Sequence, residues 1–314
     1  MYTGAVTDSR EAPAGPPPDL LLAYDWPYDE PFVSLLRKTL QASGQSLEAI
    51  SPENLPSALA ALDSGRLSGR AYLDRASDTS PAFRPLDEWA QRSIPLHINP
   101  GERRRQVWHK TNLHWEFITA GIHTPYTIAI PAYARQPVLE PPPNLTELGI
   151  PFSIKPDLGG GGWGVVMDAQ AWEDVLAARK RLPEENLILQ QFVEPTVLAE
   201  RRAWFRVFFA CGRAMPCWWD DRTKLFGPAV SLAERQQWRL DPLWDILQVA
   251  ARVSRLGLFS SEIALVADGR FVVVDYVNDP ADLRFLPHAR EGMPAEVAGG
   301  IAEAIARYLS SPGA

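Results

Sequence analysis

Cysteine, histidine and long apolar runs are scarce in this sequence, and each scarcity excludes a class of protein. The two cysteines, Cys211 and Cys217, are too few for a disulfide framework; their spacing allows one bridge, but without a secretion signal we expect two reduced core thiols. The five histidines show no paired metal spacing, and His109 and His114 are predicted to be ordinary helix residues. No apolar run reaches the roughly 18 residues of a membrane helix.

Positive charge is also in short supply. Lysine and arginine total 31 against 38 aspartates and glutamates, which gives a formal net charge of −7. This balance argues against nucleic acid or an anionic membrane as a partner, so any bound anion must be held by a local cluster of basic residues. We expect a cytoplasmic protein; its oligomeric state stays open, with a homodimer as one option.

The length of 314 residues exceeds one compact core, and the composition changes along the chain. Residues 1–18, rich in proline, glycine and alanine, are predicted to be a disordered leader. Over residues 19–100, short apolar strands alternate with helical segments, which predicts a small parallel α/β domain. Residues 101–314 are predicted to form a second domain, with a central lobe over about 126–193 and a C-terminal lobe over about 194–314. The fold class is α/β (α+β).

Within the second domain the patterns give several elements. A charged helix is predicted from about Glu102 to Thr119, and another, capped by Asp168, to about Leu182. A strand pair is predicted over residues 202–219. The segment WWDDRTK that begins at Trp218 then leaves two interpretations open: the lining of an acceptor pocket, or a solvated loop with two anchored indoles.

The segment FSSEIALVADGRFVVVDYVN, residues 259–278, is predicted to be a β-hairpin. Asp268-Gly269 is typical of a two-residue type I′ turn, and that register places Glu262 opposite Asp275. Opposed carboxylates repel unless positive charge lies between them. With the amide oxygen of Asn278 they form an oxygen-rich set suited to Mg²⁺. Both faces are apolar, which predicts central strands. The alternative is a pair of strand ends in ordinary ion pairs with arginines.

A glycine loop lies between two predicted strands, in the sequence DLGGGGWGV. It contains the dinucleotide pattern G-x-G-x-x-G, but a strand, not a helix, follows it. A protein-kinase glycine loop is excluded because the sequence contains neither HRD nor DFG, and a P-loop is excluded because no Lys-Ser/Thr follows the glycines. What remains is Lys155, a flexible glycine loop and a strand, an arrangement whose N–H groups can close over phosphates. A plain glycine-rich turn is the alternative.

These segments, taken as a set, resemble the ATP-grasp superfamily, with its glutathione synthetase-like ATP-binding fold. The resemblance covers about Leu20 to Arg284. It implies a small parallel N-terminal lobe, a central glycine-loop lobe and a C-terminal lobe with an antiparallel sheet. The matching positions are Lys110 before AGIHTPYT, Lys155 before the glycine loop, the strand LILQQFVEP, Arg206 in RVFFACGR, and Glu262, Asp275 and Asn278 in the hairpin.

The resemblance also implies a role for each matched residue. The two lysines contact the phosphates of ATP, the glycine loop covers them, and adenine lies against the end of the LILQQFVEP strand. The two acids and the asparagine bind Mg²⁺ or Mn²⁺. The implied nucleotide-binding residues are Lys110, Lys155, Gly159, Gly160, Gly161, Gly162, Trp163, Gly164, Gln190, Gln191, Phe192, Val193 and Glu194, and the implied metal ligands are Glu262, Asp275 and Asn278.

Three positions depart from the family pattern. Gln190 stands where an acid is common, which would alter the contact to the adenine amino group. Two residues, where the family commonly has one, separate Asp275 from Asn278. The ribose-binding acid stays open between Glu194 and Glu200.

The resemblance implies an ATP- and Mg²⁺-dependent ligase that joins a carboxylate to an amine or similar nucleophile through an acyl phosphate. Arg206 and Arg284 would neutralise charge on the transferred phosphoryl group; each could instead be a sheet-surface ion-pair partner. The alternatives are a small-molecule kinase on the same scaffold and a nucleotide-binding module without catalysis. The expected partners are ATP and a small-molecule or peptide substrate.

Overall fold

The computed structural model describes residues 16–311, so residues 1–15 of the predicted leader lie outside the described part of the chain. The described residues divide into two compact units. The first comprises residues 16–99 and 302–311, and the second comprises residues 100–301. Both mix helices with sheet, so the chain is an α/β (α+β) protein. Among the described helices none is long and apolar enough to cross a membrane.

The first unit contains a fully parallel four-stranded sheet in the order β2-β1-β3-β4, as predicted. Every residue of β1 and β3 is buried, which is the pattern of strands covered on both faces. The elements are β1 (Leu20–Tyr24), α1 (Glu30–Ala42), β2 (Leu47–Ile50), α2 (Leu55–Asp63), β3 (Ala71–Arg75), α3 (Arg84–Ser93) and β4 (Leu96–His97).

The second unit begins with two helices where the sequence predicts one. They are α4 (Gly101–Val107) and α5 (Lys110–Thr119). The break has a tertiary cause, since Asp157 caps the start of α5 from a distant loop: its Oδ1 accepts from the N–H of Thr111 at 2.7 Å and its carbonyl accepts from the N–H of Lys110 at 3.1 Å. The prediction of a continuous helix is therefore wrong.

An antiparallel sheet with the order β5-β8-β6-β7 follows, together with helix α6. The elements are β5 (Thr127–Ile130), β6 (Phe152–Pro156), β7 (Val166–Ala169), α6 (Trp172–Arg181) and β8 (Leu187–Gln191). The predicted cap at Asp168 is wrong, because that residue lies within β7. Asp174 does the capping: its carboxylate accepts from the N–H groups of Gln170 at 2.8 Å and Ala171 at 3.1 Å.

The rest of the second unit is built on a five-stranded antiparallel sheet in the order β13-β12-β11-β14-β15. The predicted strand pair is present, and β13 extends it. The elements are β9 (Val197–Leu198), β10 (Arg201–Arg202), β11 (Trp204–Ala210), β12 (Arg213–Asp220), β13 (Leu225–Ala229), α7 (Leu232–Gln237), α8 (Pro242–Ser254), β14 (Leu258–Leu265) and β15 (Phe271–Asn278). The last helix, α9 (Ala295–Ser310), begins in this unit, and its residues from 302 onward belong to the first unit. Cys211 and Cys217 are free thiols, as expected.

The β14–β15 hairpin has the predicted acid pair but not the predicted turn. The loop holds three residues, with Gly269 at φ +86° and the N–H of Val266 donating to the carbonyl of Arg270 at 3.0 Å. Near the turn the strands are therefore one residue out of the predicted register, and Ile263 pairs with Val273. Moreover, β15 is an edge strand, so the prediction that both strands are central is wrong for it.

Candidate active site

Two bulges in β15 bring the predicted metal ligands together. The first, at Val274, cancels the shift from the turn, so Glu262 pairs with Asp275 after all. The second lies between Asp275 and Asn278, where three steps along β15 oppose two along β14, and Asn278 pairs with Ser260. The extra residue that separates Asn278 from Asp275 is absorbed there. The Asn278 amide nitrogen donates to Asp275 Oδ2 at 3.0 Å and lies 3.4 Å from the carbonyl of Ser260.

The hairpin acids lie beside a buried lysine of the other sheet. The Nζ of Lys155, on β6, donates to the carbonyl of Val274 at 3.2 Å. Burial lowers the pKa of Lys155, and the charges of Asp275 and Glu262 oppose that shift. For Asp275 burial acts to raise the pKa, but Lys155, Arg206 and Lys110 outweigh it and hold the pKa below its usual value of 3.8.

Glu262 is held at both carboxylate oxygens. Arg206 Nη1 donates to Oε1 at 3.1 Å, and Trp204 Nε1 donates to Oε2 at 3.0 Å. The register of β11 on β14 pairs Arg206 directly with Glu262. The guanidinium also lies over the ring of Trp219, 5.2 Å from its centroid. Trp204 escaped the sequence interpretation because only the pairing of β11 with β14 brings it to Glu262.

Lys110 comes to the site through the capped start of α5. Its Nζ donates to the carbonyl of Gly159, at the beginning of the glycine loop. Burial lowers the pKa of Lys110, while the charges of Asp275, Asp157 and Glu185 act against that shift. His109 Nδ1 lies 3.0 Å from Asp157 Oδ2, so this histidine helps to fix the break between the helices rather than extending one.

The glycine loop is exposed and conformationally special. Gly159, Gly161, Gly162 and Gly164 have positive φ, a region that favours glycine. At Gly164 a side chain would also collide with its surroundings, because a Cβ there would lie 2.8 Å from Leu182 and 2.9 Å from the ring of Pro156. The indole of Trp163 is 58% exposed. Gly160, the remaining loop glycine, is exposed with open space around its Cα.

At the end of β8 the predicted adenine-contacting residues divide between buried and exposed. Gln190 is only 1% exposed; its Nε2 donates to Tyr276 Oη at 2.6 Å and lies 3.3 Å from Thr127 Oγ1. Gln191 and Phe192 are exposed. Val193 is buried in a cluster that also contains Trp204, Trp219 and Val272.

The two candidate ribose-binding acids have different surroundings. The exposed carboxylate of Glu194 forms an ion pair with Arg202, whose guanidinium also binds Asp221 through two hydrogen bonds of 2.8 and 2.9 Å. Glu200 is exposed in the turn between β9 and β10, at φ +65°. Arg202 and Asp221 thus tie the segment after β8 to the turn between β12 and β13.

Arg284 and the segment WWDDRTK make most of their described contacts away from the acid pair. Arg284 makes ion pairs with Asp282 at 2.7 Å and Glu291 at 3.4 Å in its own loop. In the segment WWDDRTK both indoles are buried in β12, and Asp220 accepts from the N–H of Arg222 at 2.8 Å to close the turn. Of the two interpretations, a solvated loop with two anchored indoles describes this segment, and the ring of Trp219 also contacts the Arg206 guanidinium.

Within residues 16–311 no group of three or more histidine, cysteine, aspartate or glutamate side chains is placed to hold a metal ion. The candidate metal set is therefore two carboxylates and one amide oxygen. Lys155, Lys110 and Arg206 surround it. Carboxylate oxygens next to three basic side chains suit a nucleotide bound together with its divalent cation.

No protein-family model and no curated protein matches this chain by sequence. Solved structures do match. The ATP-grasp ligase PsnB, complexed with minimal precursor, Mg and ADP, has a TM-score of 0.63 and 14% identity over 93% of this chain and 99% of its own. A RimK domain protein ATP-grasp from Sphaerobacter thermophilus DSM 20745 has a TM-score of 0.60 and 19% identity over 93% and 99%. The D-cycloserine synthetase DcsG has a TM-score of 0.61 and 17% identity over the same shares. The chain has the ATP-grasp fold, as the sequence predicts.

Proposed function

We propose that this protein is an ATP- and Mg²⁺-dependent ligase that joins a carboxylate to an amine or similar nucleophile through an acyl phosphate. The observation that carries the proposal is the opposed pair Glu262 and Asp275, surrounded by Lys155, Lys110 and Arg206 in an ATP-grasp fold. A site that only binds a nucleotide does not require two opposed carboxylates. PsnB and DcsG, which share the fold, carry ligase and synthetase names.

The acidic set would hold the divalent cation. Glu262 and Asp275 offer carboxylate oxygens and Asn278 an amide oxygen, which are the ligands that Mg²⁺ prefers. Mn²⁺ accepts the same oxygen ligands. When bound, such a cation neutralises charge on the nucleotide phosphates. The amide of Asn278 and the indole of Trp204 hold the two carboxylates in place.

The basic residues would bind and orient the phosphates. Lys155 lies on β6, just before the glycine loop, and Lys110 contacts the first glycine of that loop; the ammonium groups of both provide charge-assisted donors. Arg206 is fixed by Glu262 and Trp219, so its charge is oriented before the ligand arrives, which favours stabilisation of a developing phosphoryl charge. In this proposal the glycine loop closes over the phosphates and keeps water from the acyl phosphate. Arg284 would be a second phosphate-neutralising residue if its ion pairs open.

The substrate would be a small molecule or a peptide. DcsG is a D-cycloserine synthetase, and PsnB has been solved with a precursor peptide, so the same fold serves both substrate sizes. The carboxylate would first take the γ-phosphoryl group of ATP and release ADP. The amine would then attack the acyl carbon of the acyl phosphate, so that a C–N bond forms, the C–O bond to phosphate breaks and inorganic phosphate leaves. The proton lost by the amine goes to solvent or to a neighbouring base.

The proposal is tested by incubating the protein with ATP, Mg²⁺ and a panel of carboxylates, amino acids and short peptides, with and without hydroxylamine. We expect ADP, free phosphate and, with hydroxylamine, a hydroxamate, because an acyl phosphate reacts with this nucleophile and a phosphate ester does not. Phosphate retained on a stable product would overturn the ligase in favour of a kinase.

Nucleotide binding is tested separately from catalysis. Lys155→Met should weaken the binding of a non-hydrolysable ATP analogue about thirtyfold, because it removes a charge-assisted contact of about 2 kcal/mol. Lys180→Met, at an exposed position in the last turn of α6, is the matched control and should bind like the wild type. Unchanged affinity in the Lys155 variant, measured by calorimetry, would remove the phosphate-binding role.

A further inference from the structure

His109 and Asp157 form a hydrogen-bonded pair beside the glycine loop. Nδ1 of His109 lies 3.0 Å from Oδ2 of Asp157. The side chain of Asp157 is buried, at 5% exposure, whereas that of His109 is 43% exposed. One edge of the imidazole ring is therefore fixed on a buried carboxylate, while the rest of the ring reaches solvent.

Asp157 is itself held from several sides. Its other carboxylate oxygen, Oδ1, accepts from the N–H of Thr111 at 2.7 Å, and its carbonyl accepts from the N–H of Lys110 at 3.1 Å. The N–H of Asp157 donates to the carbonyl of Asn186 at 2.8 Å. A carboxylate fixed in this way orients the imidazole that it contacts.

The carboxylate also determines which ring nitrogen carries the proton. A carboxylate only accepts hydrogen bonds, so Nδ1 of His109 is the donor in this pair. In the neutral ring Nε2 then keeps its lone pair, and an imidazolium formed by protonation at Nε2 is stabilised by the negative charge of the carboxylate. The pair therefore has the chemistry of an oriented general base.

His109 lies between two side chains that contact the candidate site. Trp108 Nε1 donates to the carbonyl of Asp279, the residue that follows β15, at 3.4 Å. Lys110 Nζ donates to the carbonyl of Gly159, at the start of the glycine loop. The break between α4 and α5 thus connects the end of the metal hairpin with the glycine loop, and His109 is the middle residue of that connection.

The proposed ligation requires a group that removes a proton. An amine that attacks an acyl carbon has a proton to lose as the C–N bond forms. Glu262 and Asp275 would be occupied by the divalent cation, and Lys110 and Lys155 act as hydrogen-bond donors. The exposed edge of the His109 ring provides a proton acceptor that these four side chains do not.

We propose that His109 is the general base of the ligation and that Asp157 is its positioning residue. As the amine nitrogen bonds to the acyl carbon, its proton passes to Nε2 of His109. The C–O bond to phosphate then breaks, and phosphate leaves with the electron pair of that bond. The imidazolium returns the proton to the phosphate or to solvent. The inference rests on the proposed ligase and adds the residue that takes the proton.

The test compares two nucleophiles in the full-length enzyme. It uses the carboxylate and the amine that give turnover in the substrate panel, with hydroxylamine as the second nucleophile. Hydroxylamine is largely uncharged at neutral pH and attacks an acyl phosphate without help from a base. His109→Asn keeps a donor for Asp157 but lacks Nε2. The ratio of amide formation to hydroxamate formation should therefore fall about a hundredfold, as expected for the loss of a general base.

Three further variants separate catalysis from structure. His123→Asn, the same substitution at an exposed histidine, is the matched control and should keep the wild-type ratio. Asp157→Asn should lower the ratio, because an amide that donates to Nδ1 moves the ring proton to Nε2. The double variant of His109 and Asp157 should have a ratio no lower than that of His109→Asn alone, because both changes remove the same base.

Nitrogen-15 NMR of the full-length protein tests the orientation of the ring without any substrate. The neutral ring of His109, assigned from the signals that disappear in His109→Asn, should carry its proton on Nδ1. In Asp157→Asn the proton should move to Nε2. A residue with only a structural role at the helix break would not require this tautomer.

Three results would overturn the inference. A wild-type ring that carries its proton on Nε2 would leave no acceptor for the amine. Equal losses of amide and hydroxamate in His109→Asn would show a structural role, and an unchanged ratio at full activity would show no role; in both cases hydroxamate formation by the wild type leaves the proposed ligase standing. If the wild type forms neither ADP nor hydroxamate, the inference fails together with the proposed function.

Discussion

Nearby basic side chains offset the repulsion between the two opposed carboxylates that the sequence predicts. Glu262 and Asp275 pair across the hairpin, but Arg206 contacts Glu262 at 3.1 Å and the pKa of Asp275 is held low despite its burial. Lys155 and Lys110 contribute to that shift. The charges of the protein therefore stabilise ionised Asp275 in the folded state.

Asp275→Asn should for this reason lower the free energy of unfolding at pH 7, by about 1–2 kcal/mol, because it leaves the surrounding cations undercompensated. A carboxyl whose folded-state pKa is depressed stabilises the fold above its unfolded pKa, and that contribution is lost as pH falls through the folded value. The difference between wild type and variant should thus be full at neutral pH and shrink below about pH 3.8.

Urea denaturation at several pH values measures this difference. Asp168→Asn, the same substitution at an exposed position of β7, is the matched control and should change stability little. An Asp275→Asn variant as stable as the wild type at pH 7 would show that the cations do not stabilise this carboxylate.

Among the elements, the glycine loop and the hairpin use backbone geometry to place side chains. The first bulge of β15 restores the pairing of Glu262 with Asp275, and the second brings Asn278 beside Asp275. The three side chains therefore lie together although the spacing between Asp275 and Asn278 differs from the family pattern. The glycine loop combines residues at positive φ in open space with one, Gly164, that is sterically confined. These two kinds of glycine should respond differently to substitution.

Gly164→Ala should destabilise the protein more than Gly161→Ala. Both residues have positive φ, +72° and +61°, so each alanine incurs a backbone cost of about 1 kcal/mol. Only at Gly164 does the added Cβ meet Pro156 and Leu182 at under 3.0 Å. We expect a further loss of about 1–3 kcal/mol there. Equal melting temperatures for the two variants would contradict the confinement of Gly164.

For the whole molecule, the candidate site lies within the second unit, and ligand binding should stabilise the fold by mass action. ADP with Mg²⁺ at about one hundred times the dissociation constant should add about 2.7 kcal/mol to the free energy of unfolding. Mg²⁺ alone and ADP alone should each add less, because the acids and the basic residues bind opposite parts of the complex. Scanning calorimetry of the full chain measures this, and equal shifts with and without Mg²⁺ would contradict a metal site at the hairpin.

Local patterns sufficed for much of this protein. The parallel sheet of the first unit, the strands around the glycine loop and the positions of Glu262 and Asp275 on a hairpin follow from apolar runs and turn residues. The ATP-grasp fold was implied by the resemblance of these motifs, in this order, to that superfamily. Each of these features depends on residues close in sequence or on their order along the chain, and a sequence records both directly.

Only the tertiary structure decided the rest, because its causes lie in contacts between distant residues. Asp157 breaks the predicted helix before Lys110 from a loop 46 residues away in sequence from Thr111. Trp204 reaches Glu262 through strand pairing, and Gln190 donates to Tyr276, 86 residues away in sequence. Hydrogen-bond direction and strand register are properties of pairs of residues, so neither partner's neighbours in sequence can specify them.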